Sequence, residues 1–85
     1  MNYKCPCCEY YTLPVTSKDA LAFICPVCFW EIDTFIQSDD EPSDQNHSIT
    51  LNQARLNFLK FSACEERMIE HVRKPKEDEL KGLDE

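Results

Sequence analysis

Two copies of Cys-Pro-x-Cys constrain this chain more than any other feature: KCPCCEY over residues 4–10 and ICPVCFW over residues 24–30. Two residues between thiols let both sulfurs of one tight turn face a single ion. Two such turns complete a tetrahedron of four sulfurs, the coordination that structural zinc prefers. Cys5 and Cys8 form the first pair, and sixteen residues later Cys25 and Cys28 form the second. Pro6 and Pro26, each following the first cysteine of its pair, fix φ and pre-organise the turn. Each turn can also aim backbone N–H groups at the thiolates. Cys7 is then the surplus thiol of the first motif, read as a small buried residue, with a Cys5/Cys7 pairing as the alternative. Cys64 lies in a helical stretch, where a free cysteine packs as a small hydrophobe.

The choice of metal over disulfides rests on compartment. The N-terminal MNYKCPCCEY has no apolar run of signal-peptide length, and no stretch approaches the roughly 20 apolar residues of a membrane span. The expectation is a cytoplasmic protein in a reducing environment, where thiols stay free or bind metal. With 85 residues, the chain has too little interior to dispense easily with such a staple.

Charge narrows the partners. The net charge is −7, and it is segregated. Residues 1–30 balance, residues 31–47 carry six acids and no lysine or arginine, and residues 48–74 carry five bases against three acids. Such a chain repels phosphate backbones, so general nucleic-acid binding is disfavoured. A basic protein is the partner that complements it. Asp39, Asp40, Glu41 and Asp44 of the acidic loop are the candidate contact residues, with Trp30 beside them as a candidate aromatic anchor. The alternative for Trp30, Phe29 and Phe35 is that they cover the metal site and pack on Phe58 and Leu59.

Along the chain, YYTLPVT and ALAFI read as short strands around the turn-like SKDA, and FWEIDTFI as a third strand. QSDDEPSDQNH is a polar loop. Thr50 and Gln53 fit a capping box that starts a helix, with Ser48 as an alternative cap. Leu51, Ala54, Phe58 and Leu59 make its apolar face, widened by Leu56 and Phe61. Ser62 with Glu65 could cap a second helix carrying Met68, Ile69 and Val72. Pro75 discourages helix beyond Lys74. The predicted fold is α+β: zinc-ribbon-like β knuckles followed by one or two helices. A metal-binding domain spans residues 1–75, and residues 76–85 form a charged tail expected to fray.

No catalytic constellation emerges. A four-cysteine zinc has no open position for water, and the chain's one glycine, Gly82, rules out a glycine-rich phosphate loop. His47 and His71 read as surface residues. The expected function is therefore a non-catalytic protein with one structural zinc, acting as an acidic interaction module, of which an immunity-type protein neutralising a basic toxin is one form. An iron- or thiol-based redox carrier is the alternative, although the glycine that commonly follows each pair in rubredoxin-like sites is replaced by Glu9 and Phe29. A nucleic-acid-binding zinc ribbon is the third reading.

KCPCCEY, ICPVCFWEID, SITLNQARLNFLKF and HVRKP, in this order, resemble the bacterial cysteine-rich CPCC family of small proteins, from about Tyr3 to Pro75. The resemblance implies a small metal-binding domain with Cys5, Cys8, Cys25 and Cys28 at the matching positions; it implies no defined activity. The family pattern has glycine where this chain has Glu9. Glycine would accept positive φ after the first turn without cost, and glutamate does not.

Overall fold

Eleven residues from Leu51 to Phe61 supply the longest regular element, helix α1, in a computed structural model that describes residues 2–80. Thr50 caps it: the Gln53 backbone N–H donates to Thr50 Oγ1 at 3.0 Å, satisfying one of the orphan amides of the first turn. The reciprocal half of the capping box is replaced, because the Gln53 side chain donates instead to Asn57 Oδ1 one turn on. Leu51 and Ala54 are buried and Phe58 half-buried, as the helical spacing predicts. Leu56 and Leu59 depart from the expected face. Leu59 is 84% exposed, so the buried stripe is narrower than the apolar residues suggest.

Ser62, expected to start a second helix, instead ends the first. It takes a left-handed conformation at φ 61° and its N–H donates to the Phe58 carbonyl. The chain then runs extended through Glu65 into a 3-10 turn at Glu66–His71. The second helix is therefore short, tighter than α and begins three residues late.

The predicted strands are not formed. Among the described residues there are three isolated antiparallel bridges: Tyr3 with Leu13, Ile24 with Glu31, and Ser43 with Ile49. Their brevity has local causes. Pro14 has no N–H to extend the first pairing, and Ala22 and Phe29 at positive φ break the extended run on either side of the second. What remains is two rudimentary hairpins, each closed across its cysteine turn. In the first, Tyr3 N–H donates to Leu13 O at 2.8 Å. In the second, Ile32 N–H donates to Phe23 O at 2.9 Å.

The core lies between these hairpins and α1. Leu13, Val27, Trp30 and Ile32 pack with the cysteines, Leu51 and Ala54. Trp30 is 1% exposed, which corrects its reading as a partner anchor. Phe35 reverses the other way: at 68% exposed it covers nothing. The acidic loop is built rather than loose. Asn46, buried, accepts the Glu31 N–H and donates to the Glu31 carbonyl, and Ser43 Oγ donates to Asp33 Oδ2 at 2.6 Å.

The start of the tail expected to fray is docked. Glu77–Glu79 forms a 3-10 turn, Glu79 is 6% exposed, and its carbonyl accepts the Tyr11 N–H at 2.8 Å. The physical reason is a paired charge. Arg73 donates from Nη1 and Nη2 to the two Glu79 carboxylate oxygens at 2.7 and 2.8 Å, the bidentate geometry that guanidinium favours. The rest of that tail, residues 81–85, lies outside the described residues.

Arg73 beside Glu79 holds its carboxyl below the usual carboxylate range, with the Lys76 N–H adding to the effect. A carboxyl whose folded pKa is depressed contributes stability above the unfolded pKa and loses it as pH falls through the folded value. The Glu79→Gln variant is therefore expected to be less stable than the parent at pH 7. The difference should shrink below about pH 4, the range where an unfolded glutamate takes up its proton. Thermal midpoints measured across pH 3–7 (roughly the span of the carboxylate titration) check this.

Candidate metal centre

The two cysteine turns are built alike. In the first, Glu9 N–H donates to Cys5 O at 2.9 Å and Cys5 N–H to Tyr10 O at 2.9 Å. In the second, Phe29 N–H donates to Cys25 O at 2.7 Å and Cys25 N–H to Trp30 O at 3.0 Å. Each turn closes on a residue with positive φ, Glu9 at 67° and Phe29 at 69°. That is the left-handed region in which a non-glycine residue costs about 1–2 kcal/mol. The sequence singled out Glu9 alone as the strained position; Phe29 carries the same burden.

These turns bring the four predicted ligands together. The sulfurs of Cys5, Cys8, Cys25 and Cys28 all lie within 4.8 Å of one another. Cys5 Sγ is 3.7 Å from Cys28 Sγ, and Cys8 Sγ is 3.7 Å from Cys25 Sγ. Thiolates at about 2.3 Å from a tetrahedral zinc stand about 3.8 Å apart. Disulfide sulfurs would stand at about 2.05 Å. The donor set and its spacing therefore fit a four-coordinate metal ion. Both close pairs join one turn to the other, so an ion bound there ties the hairpins together.

Charge in the cluster is arranged around Cys25. The neighbouring thiols, Cys28 foremost and then Cys5 and Cys8, together with the Thr12 hydroxyl, hold the Cys25 thiol below its ordinary range. Cys8 and Cys28 move up, chiefly because each shares a proton with Cys25. A bound dication would take over the role of those shared protons.

Thr12 went unnoticed in the sequence. Its Oγ1 lies 3.1 Å from Cys25 Sγ, and the residue is buried. The Glu9 and Phe29 amides go to the Cys5 and Cys25 carbonyls rather than to sulfur. The Thr12 hydroxyl is thus a side-chain donor to the cluster from outside it. Nothing in the local sequence marks it, since a threonine four residues past a cysteine reads as a strand residue.

Contacts from distant segments fix the turns from outside. Arg55 Nε donates to Pro6 O at 2.9 Å, while its Nη1 reaches Asp39 Oδ2 at 2.8 Å. Arg73 N–H donates to Pro26 O at 3.2 Å, and Cys64 N–H donates to Cys28 O at 2.7 Å. Each prolyl carbonyl is thus held by an arginine residue, once through its side chain and once through its backbone.

The remaining candidates fall elsewhere. Cys7 and Cys64 are buried outside the cluster of four. Burial pushes the Cys64 thiol up to about 12, which leaves it protonated and inert. His47 Nδ1 pairs with Glu65 at 2.9 Å, and His71 stacks on Phe29 with ring centroids 5.2 Å apart. Of the acidic candidates, Asp39 pairs with Arg55, Asp40 accepts from Asn52, Glu41 accepts the Gln37 N–H, and Asp44 is exposed.

Comparison with known proteins gives one family match: the family described as cysteine-rich CPCC covers residues 3–79. No curated protein and no solved structure matches the chain. No helix among the described residues is long and apolar enough to cross a membrane.

Replacing Thr12 with valine keeps shape and removes the donor to Cys25. Partners of metal ligands typically carry about 10–100-fold in metal affinity, so Thr12→Val is expected to bind zinc at least about tenfold more weakly. Competition against a chromophoric chelator measures this.

Proposed function

The chain belongs to the cysteine-rich CPCC family, and from that membership together with the four-sulfur cluster we propose that it is a non-catalytic protein built on one structural zinc. Cys5, Cys8, Cys25 and Cys28 would hold the ion, and the single observation that carries this reading is the mutual approach of their sulfurs. Four protein ligands close the coordination sphere and leave no position for a water nucleophile or a substrate. The ion's chemistry is then charge compensation and cross-linking. In small domains such a site supplies on the order of 10–16 kcal/mol of apparent binding energy to folding.

The task of the folded domain, on this reading, is to present its acidic loop to a basic protein, of which toxin neutralisation is one form. Two features support it. Residues 31–47 hold six acids without a lysine or arginine, and Phe35, exposed, shares a small groove with Asp33, Glu41 and Asp44. An aromatic face beside carboxylates suits the lysine or arginine side chains of such a partner. Phe35 thereby takes the anchoring role first given to Trp30. Arg55 links the loop to the first cysteine turn, so the metal would support the surface as well as the core.

Protein purified without added metal is expected to be colourless, to carry one zinc per chain by native mass spectrometry, and to lose its helical signal on chelation. Iron with visible colour would move the protein to the redox class. A chain that keeps its fold with Cys25 and Cys28 replaced by serine would refute the structural-metal reading.

The partner reading has its own check. Reversing Asp40 and Asp44 to lysine is expected to leave the fold intact and to weaken capture of a basic protein, with added salt weakening capture by the parent in the same direction. Capture that survives both treatments would sink it.

A further inference from the structure

A second surface differs from the acidic loop in both shape and charge. Between α1 and the chain that follows Val72 lies a groove of about 310 Å³. That is the lower end of the roughly 300–1,000 Å³ typical of small-molecule sites. Tyr10, Val27, Phe58, Val72 and Pro75 supply apolar walls, and the Tyr10 and Phe58 rings meet edge to face with centroids 6.2 Å apart.

The polar groups decide what fits. The charged residues lining the groove are Arg73 and Lys74, and no carboxylate lines it. Arg73 is committed to Glu79 through two hydrogen bonds. Lys74 makes no ion pair among the described residues. Ser62 adds a hydroxyl at the end of α1. Lys74 shares this freedom with the other lysines of the described residues, and it is the lysine that lines this aromatic-walled groove. The net charge of −7 disfavours a ligand with several negative charges.

We propose that this groove binds a small monocarboxylate with a compact apolar stem, the stem lying against Tyr10, Val27 and Phe58 and the carboxylate meeting Lys74. The inference stands apart from the zinc reading and from the acidic loop, because it uses neither the cluster nor residues 31–47. Binding there touches both cysteine turns all the same. Val27 lies between Cys25 and Cys28, and Tyr10 is two residues beyond Cys8. An occupant would therefore brace the hairpins against α1.

The test is a titration of the intact, metal-loaded, isotope-labelled chain with 3-phenylpropionate, followed by amide chemical shifts. The expected result is saturable shifts confined to residues around Tyr10, Val27, Phe58, Ser62 and Val72. The neutral amide analogue and the Lys74→Gln variant should each bind about fivefold more weakly, as loss of one partly exposed ion pair implies, whereas Lys74→Arg retains binding. The same spectra show whether each variant is folded. The proposal is overturned by an absence of shifts up to about 10 mM ligand, well past the range of weak specific binding. Shifts centred elsewhere, or equal affinity for acid and amide, overturn it too.

Discussion

Four sulfurs from two hairpins meet within a few ångströms, and almost every other contact in the protein serves to keep them there. Neither hairpin has enough backbone pairing to stand alone, since two-stranded ribbons with one or two bridges are marginal in water. The buried set around Leu13, Val27, Trp30 and Ile32 is small for a domain. An ion shared between the turns would supplement the small interior of the chain. The hydrogen bonds to Pro6, Pro26 and Cys28 carbonyls complete the arrangement, because they connect the turns to α1 and to the segments on either side of the 3-10 turn.

The charge distribution gives this small scaffold two unlike faces. The acidic loop is shaped by Asn46 and Ser43 and tethered to the first turn through Arg55. The opposite character gathers where Arg73, Lys74 and the exposed end of α1 surround an apolar groove. The two faces lie apart from the four-cysteine cluster, so an ion held there would leave both of them open.

The parts of the structure that depend on local spacing were legible in the sequence. Cys-Pro-x-Cys fixes a turn through proline and through the reach of two thiols, so the ligand set could be read directly. Thr50 and the Leu51, Ala54, Phe58 spacing likewise gave the start and buried side of α1. What escaped reading depends on distance along the chain. Thr12 reaches Cys25 from one hairpin to the other, and Arg73 reaches Glu79 six residues on, past Pro75. Trp30 is buried and Phe35 exposed because burial is decided by packing between distant segments, and no local pattern records that. The strands failed for a related reason: alternating apolar residues suggested pairing, but Pro14, Ala22 and Phe29 cut each run to a single bridge.

Glu9 and Phe29 are two of the six non-glycine residues with positive φ among the described residues, each bent into a shape that glycine would accept freely. Their discomfort sits immediately after Cys8 and Cys28, the last sulfur of each turn. An ion bound to those sulfurs would add its hold to a bend that the Glu9 and Phe29 N–H groups already secure on the Cys5 and Cys25 carbonyls. The strain of each bend thus sits beside a candidate ligand, where loss of a bound ion would leave the turn's own hydrogen bonds to hold it.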